Sequence, residues 1–329
     1  MPEVSWPGAS ARPRRALVLG GSGHVGNAVT RELLARGHAV TVARRGRTTA
    51  TNLAGLPVSH ALGDADHPAT IDGWVRGHDL VVDAAAPYPL ALGDRGGVAT
   101  AARRATLLVD AIGRHEARLV HLGSFVTGLG TDETGRPREP GQRLDSELHP
   151  YFAAKRAGEA VFAAAGRAGA DVTVVQPTTC LGPWDSRPSA MCLVPRVLAG
   201  QLHVVPSHMI NVVDVRDVAR AVVAAAGGER QPPLRITGHN VGIAELCALI
   251  GELAGRRVEP RVVPAAIARG AAWAFELVPG GGMPPLLLPT LLALRQAALQ
   301  VSATQRALGA APRPLSETLR AAIAWYRER

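Results

Sequence analysis

The glycine-rich stretch near the start of the chain limits its fold more than any other feature. A short apolar run at residues 16–19 leads directly into Gly-Gly-Ser-Gly-His-Val-Gly at residues 20–26, and an amphipathic helical pattern follows, which Gly37 is placed to end. Glycines here permit a tight turn, let backbone N–H groups approach a pyrophosphate, and let the helix pack closely on the strand. The helix N-terminus stabilises the phosphate charge. The order strand, glycine turn, helix therefore predicts a dinucleotide-binding unit.

Strand and helix patterns alternate through the first half of the chain. Further helical segments are predicted near residues 69–76, 98–115 and 149–166. The predicted strands are residues 16–19, 39–43, 58–62, 80–84, 119–122 and 172–175. Because these strands are almost continuously apolar, they favour a parallel sheet covered by helices on both faces. We therefore predict an α/β fold with a Rossmann-type doubly wound sheet and a smaller, mostly helical C-terminal domain.

The end of the second predicted strand bears on the choice of cofactor. It reads Arg44-Arg45, with Arg47 close behind, and no carboxylate follows until Asp64. An NAD-binding unit usually carries an acidic residue here for the ribose 2′-hydroxyl, whereas arginine suits a 2′-phosphate. The sequence therefore predicts NADP (NADPH preferred) over NAD. The alternative is that these arginines only decorate a surface turn.

Two scarce residue types occur one helical turn apart. The chain contains a single lysine, Lys155, and three tyrosines, one of which is Tyr151. On a helix, positions i and i+4 share a face, so the ammonium and the phenol can converge. A nearby cation favours the phenolate and lowers the phenol's pKa from its usual value of about 10. Such a tyrosine can exchange a proton with a carbonyl or an alcohol.

Composition limits the compartment and the partners. The formal net charge is +9, but the arginines are scattered without basic runs or interleaved aromatics, so we predict no nucleic-acid partner. Cys180, Cys192 and Cys247 form no Cys-x-x-Cys motif and are typical of reduced thiols in a cytoplasmic protein, and no metal is predicted. No segment reaches the roughly 20 apolar residues of a membrane span. Residues 1–13 are expected to form a flexible tail.

Taken together, these features resemble an extended short-chain dehydrogenase/reductase over nearly the whole length, within the epimerase/dehydratase superfamily. The branches that it resembles most are dihydroflavonol-reductase-like, 3β-hydroxysteroid-dehydrogenase-like and sugar-epimerase-like. The positions that carry the resemblance are the 20–26 loop, Asp64, residues 84–86, Ser124, Tyr151, Lys155, residues 177–183, residues 211–219 and residues 305–326.

The resemblance implies roles for these positions. Tyr151 would be the general acid in reduction, Lys155 would hold the nicotinamide ribose, and Ser124 would hydrogen-bond the substrate carbonyl as an oxyanion develops. Asp64 and Ala65 would border the adenine, residues 84–86 the centre of the cofactor, and Thr178 or Thr179 the nicotinamide amide, although a buried or capping role fits these threonines equally well. The predicted cofactor-binding residues are Gly20, Gly21, Ser22, Gly23, His24, Val25, Gly26, Arg44, Arg45, Asp64, Ala65, Ala84, Ala85, Ala86, Lys155, Pro177, Thr178 and Thr179.

Several positions depart from the family pattern. Gly123 precedes Ser124 where the family often has a second hydroxylated residue, and Thr127 is the reserve candidate to assist Tyr151. Ala102 stands where an asparagine of the proton relay is common, and Gln176 stands where an arginine often precedes the proline. The predicted substrate contacts are Pro87, Tyr88, Thr127, His149 and Met283. His149 alternatively caps the next helix, and Tyr88 alternatively stacks within a proline turn.

Three functions are open at this point. The apolar second half, including residues 266–277 and 284–294, favours an NADPH-dependent reductase of a ketone or aldehyde on a bulky hydrophobic molecule, such as an aromatic, steroid-like or polyketide-like compound. That chemistry is typical of ketoreductases of secondary metabolism. The alternatives are a nucleotide-sugar epimerase or dehydratase and a non-catalytic NADP-binding sensor, which usually lacks the tyrosine and lysine.

The domain division follows from the same pattern. We expect the cofactor domain to span residues 14–177, with residues 204–226 returning to it. Residues 178–203 and 227–329 would form the substrate domain. Extended members of the family are often homodimers formed through a helix pair, and the resemblance implies the same here.

Overall fold

The computed structural model describes most of the chain. The described residues are 14–46, 50–85, 96–128, 150–186, 188, 192–230, 232–276, 299–302, 305–306 and 311–328. The predicted N-terminal tail, and most of the apolar stretch predicted to cover the substrate, lie outside them.

A seven-stranded sheet forms the centre of the molecule, and all of its neighbouring strands are parallel. Its strands are β1 (Arg15–Leu19), β2 (Ala39–Arg44), β3 (Ser59–Leu62), β4 (Leu80–Asp83), β5 (Arg118–Leu122), β6 (Val172–Pro177) and β10 (Leu234–Ile236). Each of the six strands predicted from the sequence is present. The α/β prediction with a doubly wound parallel sheet is confirmed.

Helices cover both faces of the sheet, and others pack around a separate apolar cluster beside it. They are α1 (His24–Ala35), α2 (Pro68–Val75), α3 (Gly96–His115), α4 (Pro150–Arg167), α5 (Leu193–Leu198), α6 (Val215–Gly227), α7 (Ile243–Leu253), α8 (Ala265–Glu276) and α9 (Leu315–Arg327). The first helix ends as predicted, because Gly37 adopts a left-handed φ of 78° just beyond it and its N–H donates to the carbonyl of Leu34.

The strand order locates the ligand crevice. It runs β10-β6-β5-β4-β1-β2-β3, so the chain winds outward from β1 to β3 and then crosses back to β4. In open parallel sheets, ligands bind beyond the carboxyl ends of the strands where the winding direction reverses. Leu19 ends β1 and Asp83 ends β4 at that point, and the Ala84 N–H donates to the Leu19 carbonyl.

The apolar core explains the stability of this arrangement. Leu17, Val18, Val81 and Val82 on the two central strands are 0% exposed, as expected for strands covered on both faces. Because α1 and α6 pack together against one face, residues 215–227 belong to the same core as the sheet.

Shorter strands form two small sheets beside the main one. They are β7 (Thr179–Leu181), β8 (Val204–Ser207), β9 (Met209–Asp214), β11 (His239–Gly242) and β12 (Arg261–Pro264). The first small sheet has the order β11-β9-β7, and the second pairs β12 with β8. With α5, α7 and α9 they surround a separate apolar cluster that includes Leu246 and Leu319. Within residues 204–226, helix α6 covers the main sheet and Val213 of β9 joins the same core. Leu234–Ile236, beyond that range, extends the main sheet at its edge. This strand has only three residues, too few for a periodic pattern to reveal.

Candidate active site

A cleft of about 830 Å³ lies at the carboxyl ends of the central strands. It contains most of the residues predicted from the sequence, which come from seven separate chain segments. These are Gly20, Ser22, Gly23, His24, Val25, Gly26, Arg44, Arg45, Asp64, Ala65, Ala84, Ala85, Ser124, Tyr151, Pro177, Thr178 and Thr179. Gly21 lies just behind this wall, where a β-carbon would meet Val42 at 2.8 Å, so it serves the packing of the turn on β2.

The glycine turn forms the floor of the cleft. Gly20 has a φ of 75°, and its carbonyl accepts a 2.8 Å hydrogen bond from the Gly23 N–H. A β-carbon on Gly20 would lie 2.7 Å from the Ala84 carbonyl oxygen, so the turn and the β4 end pack with no room for a side chain. The turn leads into α1, whose N-terminal N–H groups can face an anion. This cradle fits the pyrophosphate of a dinucleotide.

Two residues that the sequence did not indicate as part of the site also line the cleft. Trp74 on α2 and Arg104 on α3 line it beside Asp64 and Ala65. Trp74 lies in the predicted helix at 69–76 and Arg104 in the one at 98–115, where a tryptophan commonly packs in the core and an arginine commonly faces solvent. No local signal separated them from those ordinary roles.

Tyr151 and Ser124 meet on the wall of the cleft. Tyr151 is 5% exposed, and its phenol shares a hydrogen bond with Ser124. Burial raises the pKa of Tyr151 to about 12, although the Ser124 hydrogen bond opposes this rise. The phenol is therefore protonated at neutral pH. This direction is opposite to the sequence-based expectation of a pKa lowered by Lys155, because desolvation of the phenol outweighs other influences.

Lys155 lies beside the cleft and not on its main wall. It is half-buried and lines a smaller cavity. That cavity shares four lining residues with the cleft, which are Leu19, Ala65, Ala85 and Arg104. Burial lowers the pKa of Lys155, and the negative charges of Glu159 and Asp83 oppose that effect.

A buried, hydrogen-bonded Asp–His pair forms part of the wall of this smaller cavity. The His121 ring nitrogen Nδ1 lies 2.8 Å from Asp83 Oδ2, and the Ala85 N–H donates to Asp83 Oδ1 at 3.1 Å. Burial by itself would raise the pKa of Asp83, but the His121 hydrogen bond and the charges of His121 and Lys155 leave it lowered. The pair holds the turn after β4, which borders the cleft.

Thr127 and Thr178 have structural partners. The Thr127 hydroxyl lies 2.7 Å from both the Ser124 carbonyl oxygen and Glu159 Oε2, and it does not line the cleft. The structure thus brings Ser124, and not Thr127, against Tyr151. The Thr178 hydroxyl donates to Asn211 Oδ1 at 2.7 Å, which leaves Thr179 as the more exposed of the two threonines.

Another part of the cleft wall is formed by residues that the sequence did not indicate as part of the site. Its wall includes Phe125, Val126, Cys180, Leu181, Asp185 and Cys192. Burial raises the pKa of the Cys180 thiol to about 12, so this thiol acts as a neutral, weakly polar surface. The Tyr326 hydroxyl on α9 donates to Asp185 Oδ2 at 3.0 Å. The separation of these two residues along the chain explains why no local pattern revealed their contact.

Several predicted site residues cannot be placed. Ala86, Pro87, Tyr88, His149 and Met283 lie outside the described residues.

The described geometry defines a class of protein. A doubly wound parallel sheet, a glycine turn at its switch point, and a hydrogen-bonded Ser–Tyr pair with a neighbouring lysine together define a dinucleotide-dependent enzyme of the short-chain dehydrogenase/reductase type. The chain belongs to the NAD dependent epimerase/dehydratase family, whose model matches residues 16–236. Both the family resemblance and the prediction of an enzyme are confirmed.

Individual relatives cover nearly the full length. A sterol demethylase protein B from Methylococcus capsulatus is 28% identical, with 95% of this chain and 98% of the relative covered. A putative dihydroflavonol 4-reductase from Synechocystis is 25% identical, with 94% of each chain covered. The solved structure of a protein named gox2253 has a TM-score of 0.79 at 25% identity, with 95% of this chain and 98% of that chain covered.

Within the described part of the chain, no helix combines the length and the apolarity needed to cross a bilayer.

Proposed function

We propose that this protein is an NADPH-dependent oxidoreductase that reduces a ketone or aldehyde carbonyl on a bulky hydrophobic molecule. The observation that carries the proposal is the Ser124–Tyr151 hydrogen bond in the cleft that the glycine turn also lines. A protonated phenol and a hydroxyl side by side are the groups that a carbonyl oxygen needs as it becomes an alcohol.

The chain's residues divide this work. NADPH, held by the glycine turn, would supply the hydride for the carbonyl carbon. Tyr151 donates its proton to the carbonyl oxygen, and Ser124 donates a hydrogen bond to the same oxygen as negative charge develops. Since burial keeps Tyr151 protonated, it is ready to act as an acid in the reductive direction. The Lys155 ammonium stabilises negative charge on the phenol after the proton has left.

The preference for NADP rests on the arginines at the end of β2. Arg44 and Arg45 line the cleft, and the exposed guanidinium of Arg45 can reach a 2′-phosphate with little desolvation cost. The family's description names NAD, so this preference is a property of these residues and not of the family.

The composition of the cleft wall supports the proposed substrate class. Phe125, Val126 and Leu181 give it an apolar surface, and the Cys180 and Cys192 thiols add little polarity. Such a wall suits an aromatic, steroid-like or polyketide-like compound better than a nucleotide diphosphate. The names of the two relatives, a dihydroflavonol reductase and a sterol demethylase protein, agree with bulky ring compounds.

A nucleotide-sugar epimerase or dehydratase is the second candidate, because the family is named for those activities. Such an enzyme returns the hydride to its sugar and retains its cofactor. A non-catalytic sensor is disfavoured, since the chain belongs to an enzyme family and keeps both Tyr151 and Lys155.

A screen of NADPH oxidation over hydrophobic ketones, hydrophobic aldehydes and nucleotide sugars tests the proposal. We expect net consumption of NADPH with a hydrophobic carbonyl compound. Tightly bound oxidised cofactor in the purified protein, with conversion of a nucleotide sugar and no net NADPH consumption, would instead establish the epimerase.

The domain boundaries, the cellular compartment and the oligomeric state are further parts of the proposal. We infer a cofactor domain of residues 14–177 joined by 204–226, and a substrate domain of residues 178–203 and 227–329. We also infer a cytoplasmic homodimer. Size-exclusion chromatography with light scattering measures the oligomeric state, and limited proteolysis maps the domain boundaries.

A further inference from the structure

A buried carboxylate stands directly behind the Ser124–Tyr151 pair. Glu159 lies on α4, one turn after Lys155 and two turns after Tyr151, and it is 8% exposed. The spacing places these three side chains along one side of the helix. A buried glutamate is costly unless donors and positive charge compensate it, so its partners indicate its role.

Three donors from two other segments surround this carboxylate. The Ser124 N–H donates to Oε1 at 3.0 Å, and the Thr127 hydroxyl lies 2.7 Å from Oε2. The Gln176 amide on β6 donates to Oε2 at 2.7 Å and to the Thr127 hydroxyl at 2.8 Å. Glu159 therefore joins the segment after β5 to the end of β6, which are two walls of the cleft.

Gly123 provides the space that Glu159 occupies. A β-carbon at Gly123 would lie 2.0 Å from Glu159 Oε1, so no side chain fits there without displacing the carboxylate. Gly123 and Gln176 both contact this one group. They are thus parts of a single arrangement that seats a carboxylate behind Ser124.

The charge of Glu159 also affects the pKa values of Lys155 and Tyr151, which lie one and two turns earlier on the same helix. It raises the pKa of Lys155 against the effect of burial, and it contributes to the raised pKa of Tyr151. Other charged or titratable groups face the same region from the neighbouring elements. These are Asp83 on β4, His121 on β5, Arg104 on α3 and Cys180 on β7.

We propose that Glu159 is a positioning residue, whose carboxylate holds the Ser124 segment against Tyr151 and supplies the counter-charge for the half-buried ammonium of Lys155. The Ser124 part of this inference rests on the proposed function. The Lys155 part does not, because it concerns the charge of one side chain in the free protein.

The single lysine makes the second part directly measurable. Protein labelled with [ε-¹³C]lysine gives one side-chain signal, and its shift as a function of pH reports the Lys155 ionisation without any substrate. In Glu159→Gln we expect this titration to move to lower pH, because the opposing negative charge is gone. The control is Glu252→Gln, an exposed carboxylate on α7, which should leave the titration unchanged. An unmoved titration in Glu159→Gln would overturn the charge role.

Kinetics on a substrate from the NADPH screen test the positioning of Ser124. Glu159→Gln should lower kcat by up to about 100-fold with a smaller change in the KM for NADPH. Reduction requires protonated Tyr151 and charged Lys155, and both pKa values fall when the carboxylate is neutralised. The alkaline limb of the pH–rate profile should therefore move to lower pH. An unchanged profile would contradict the proposal.

Two further variants distinguish the positioning of Ser124 from the counter-charge for Lys155. They also keep the proposal testable if Glu159→Gln does not fold. Glu159→Asp keeps the charge but shortens the reach to Ser124, so the Lys155 titration should stay near wild type while kcat falls. Gly123→Ala keeps the glutamate and displaces its carboxylate, so both readouts should change. If Gly123→Ala leaves both unchanged, the positioning role is wrong. A failed substrate screen would defeat the proposed function alone, since the lysine titration needs no substrate.

Discussion

A β-carbon placed on Gly26 would lie 2.2 Å from the carbonyl oxygen of Gly20. The obstructing atom belongs to the backbone of the same tight turn, so it cannot move aside as a flexible side chain would. We expect Gly26→Ala to lower the free energy of unfolding by about 1–3 kcal/mol, as overpacking does, and to weaken NADPH binding. Chemical denaturation and cofactor fluorescence titration measure the two effects.

Gly73→Ala is the matched control for this change. Gly73 is an exposed residue of α2, and a β-carbon there has nothing within 4 Å. Alanine is the better helix former, so this variant should gain about 0.5–1 kcal/mol of stability and bind NADPH as wild type does. Equal behaviour of the two alanine variants would show that the glycine turn is not the tight cradle described.

Replacing Tyr151 by phenylalanine removes the proposed proton donor and keeps the ring. We expect kcat to fall by roughly 100- to 10,000-fold, the usual contribution of a general acid, while NADPH affinity stays close to wild type. Single-turnover NADPH oxidation and fluorescence titration measure these separately. Turnover at the wild-type rate would defeat the assignment of the acid.

Replacing Arg45 by alanine tests the cofactor preference. Arg45 lines the cleft at the end of β2 and is exposed. Loss of a charge-assisted contact to the 2′-phosphate should weaken NADPH binding on the order of 10-fold and leave NADH binding unchanged. Arg76→Ala is the control, because Arg76 follows directly after α2 and its side chain is 71% exposed. Wild-type protein that prefers NADH, or an equal loss for both cofactors, would contradict the NADP assignment.

The buried Asp83–His121 pair should give the stability a pH dependence in acid. The pKa of Asp83 is lowered in the folded protein, so its contribution is present above the unfolded value near 4 and is lost as pH falls through the folded value. Asp83→Asn should cost on the order of 1–2 kcal/mol at pH 7, and its difference from wild type should narrow towards pH 3.

Urea denaturation between pH 3 and 7 measures this effect. Asp110→Asn, an exposed change on α3, is the control and should follow the wild-type curve. A cost for Asp83→Asn that stays constant over that range would show that the carboxylate charge is not the source of the stabilisation.

Local patterns predicted the main features of the fold well. Apolar runs separated by amphipathic segments gave the strands β1, β4, β5 and β6, because a strand buried on both faces needs nearly every side chain to be apolar. They missed Leu234–Ile236, since a three-residue strand is defined by its pairing with β6 and not by its own sequence.

Part of the candidate site, too, could be predicted from local sequence, and part could not. The spacing of Tyr151 and Lys155 and the glycines of the 20–26 turn could be read from the chain, because each depends on neighbours within a few residues. The spacing could not predict whether burial or the nearby charge has the larger effect on the pKa of Tyr151. In the folded protein, burial raises this pKa to about 12.

The sequence alone thus determined which elements form, and which short motifs stand at their ends, because periodicity and turn chemistry act over one or two helical turns. Only the tertiary structure decided that Glu159 sits behind Ser124 and that Tyr326 reaches Asp185. These contacts join residues far apart in the chain, and they depend on how whole helices and strands pack. Burial and charge at the site follow from that packing, and with them the chemistry that each side chain can perform.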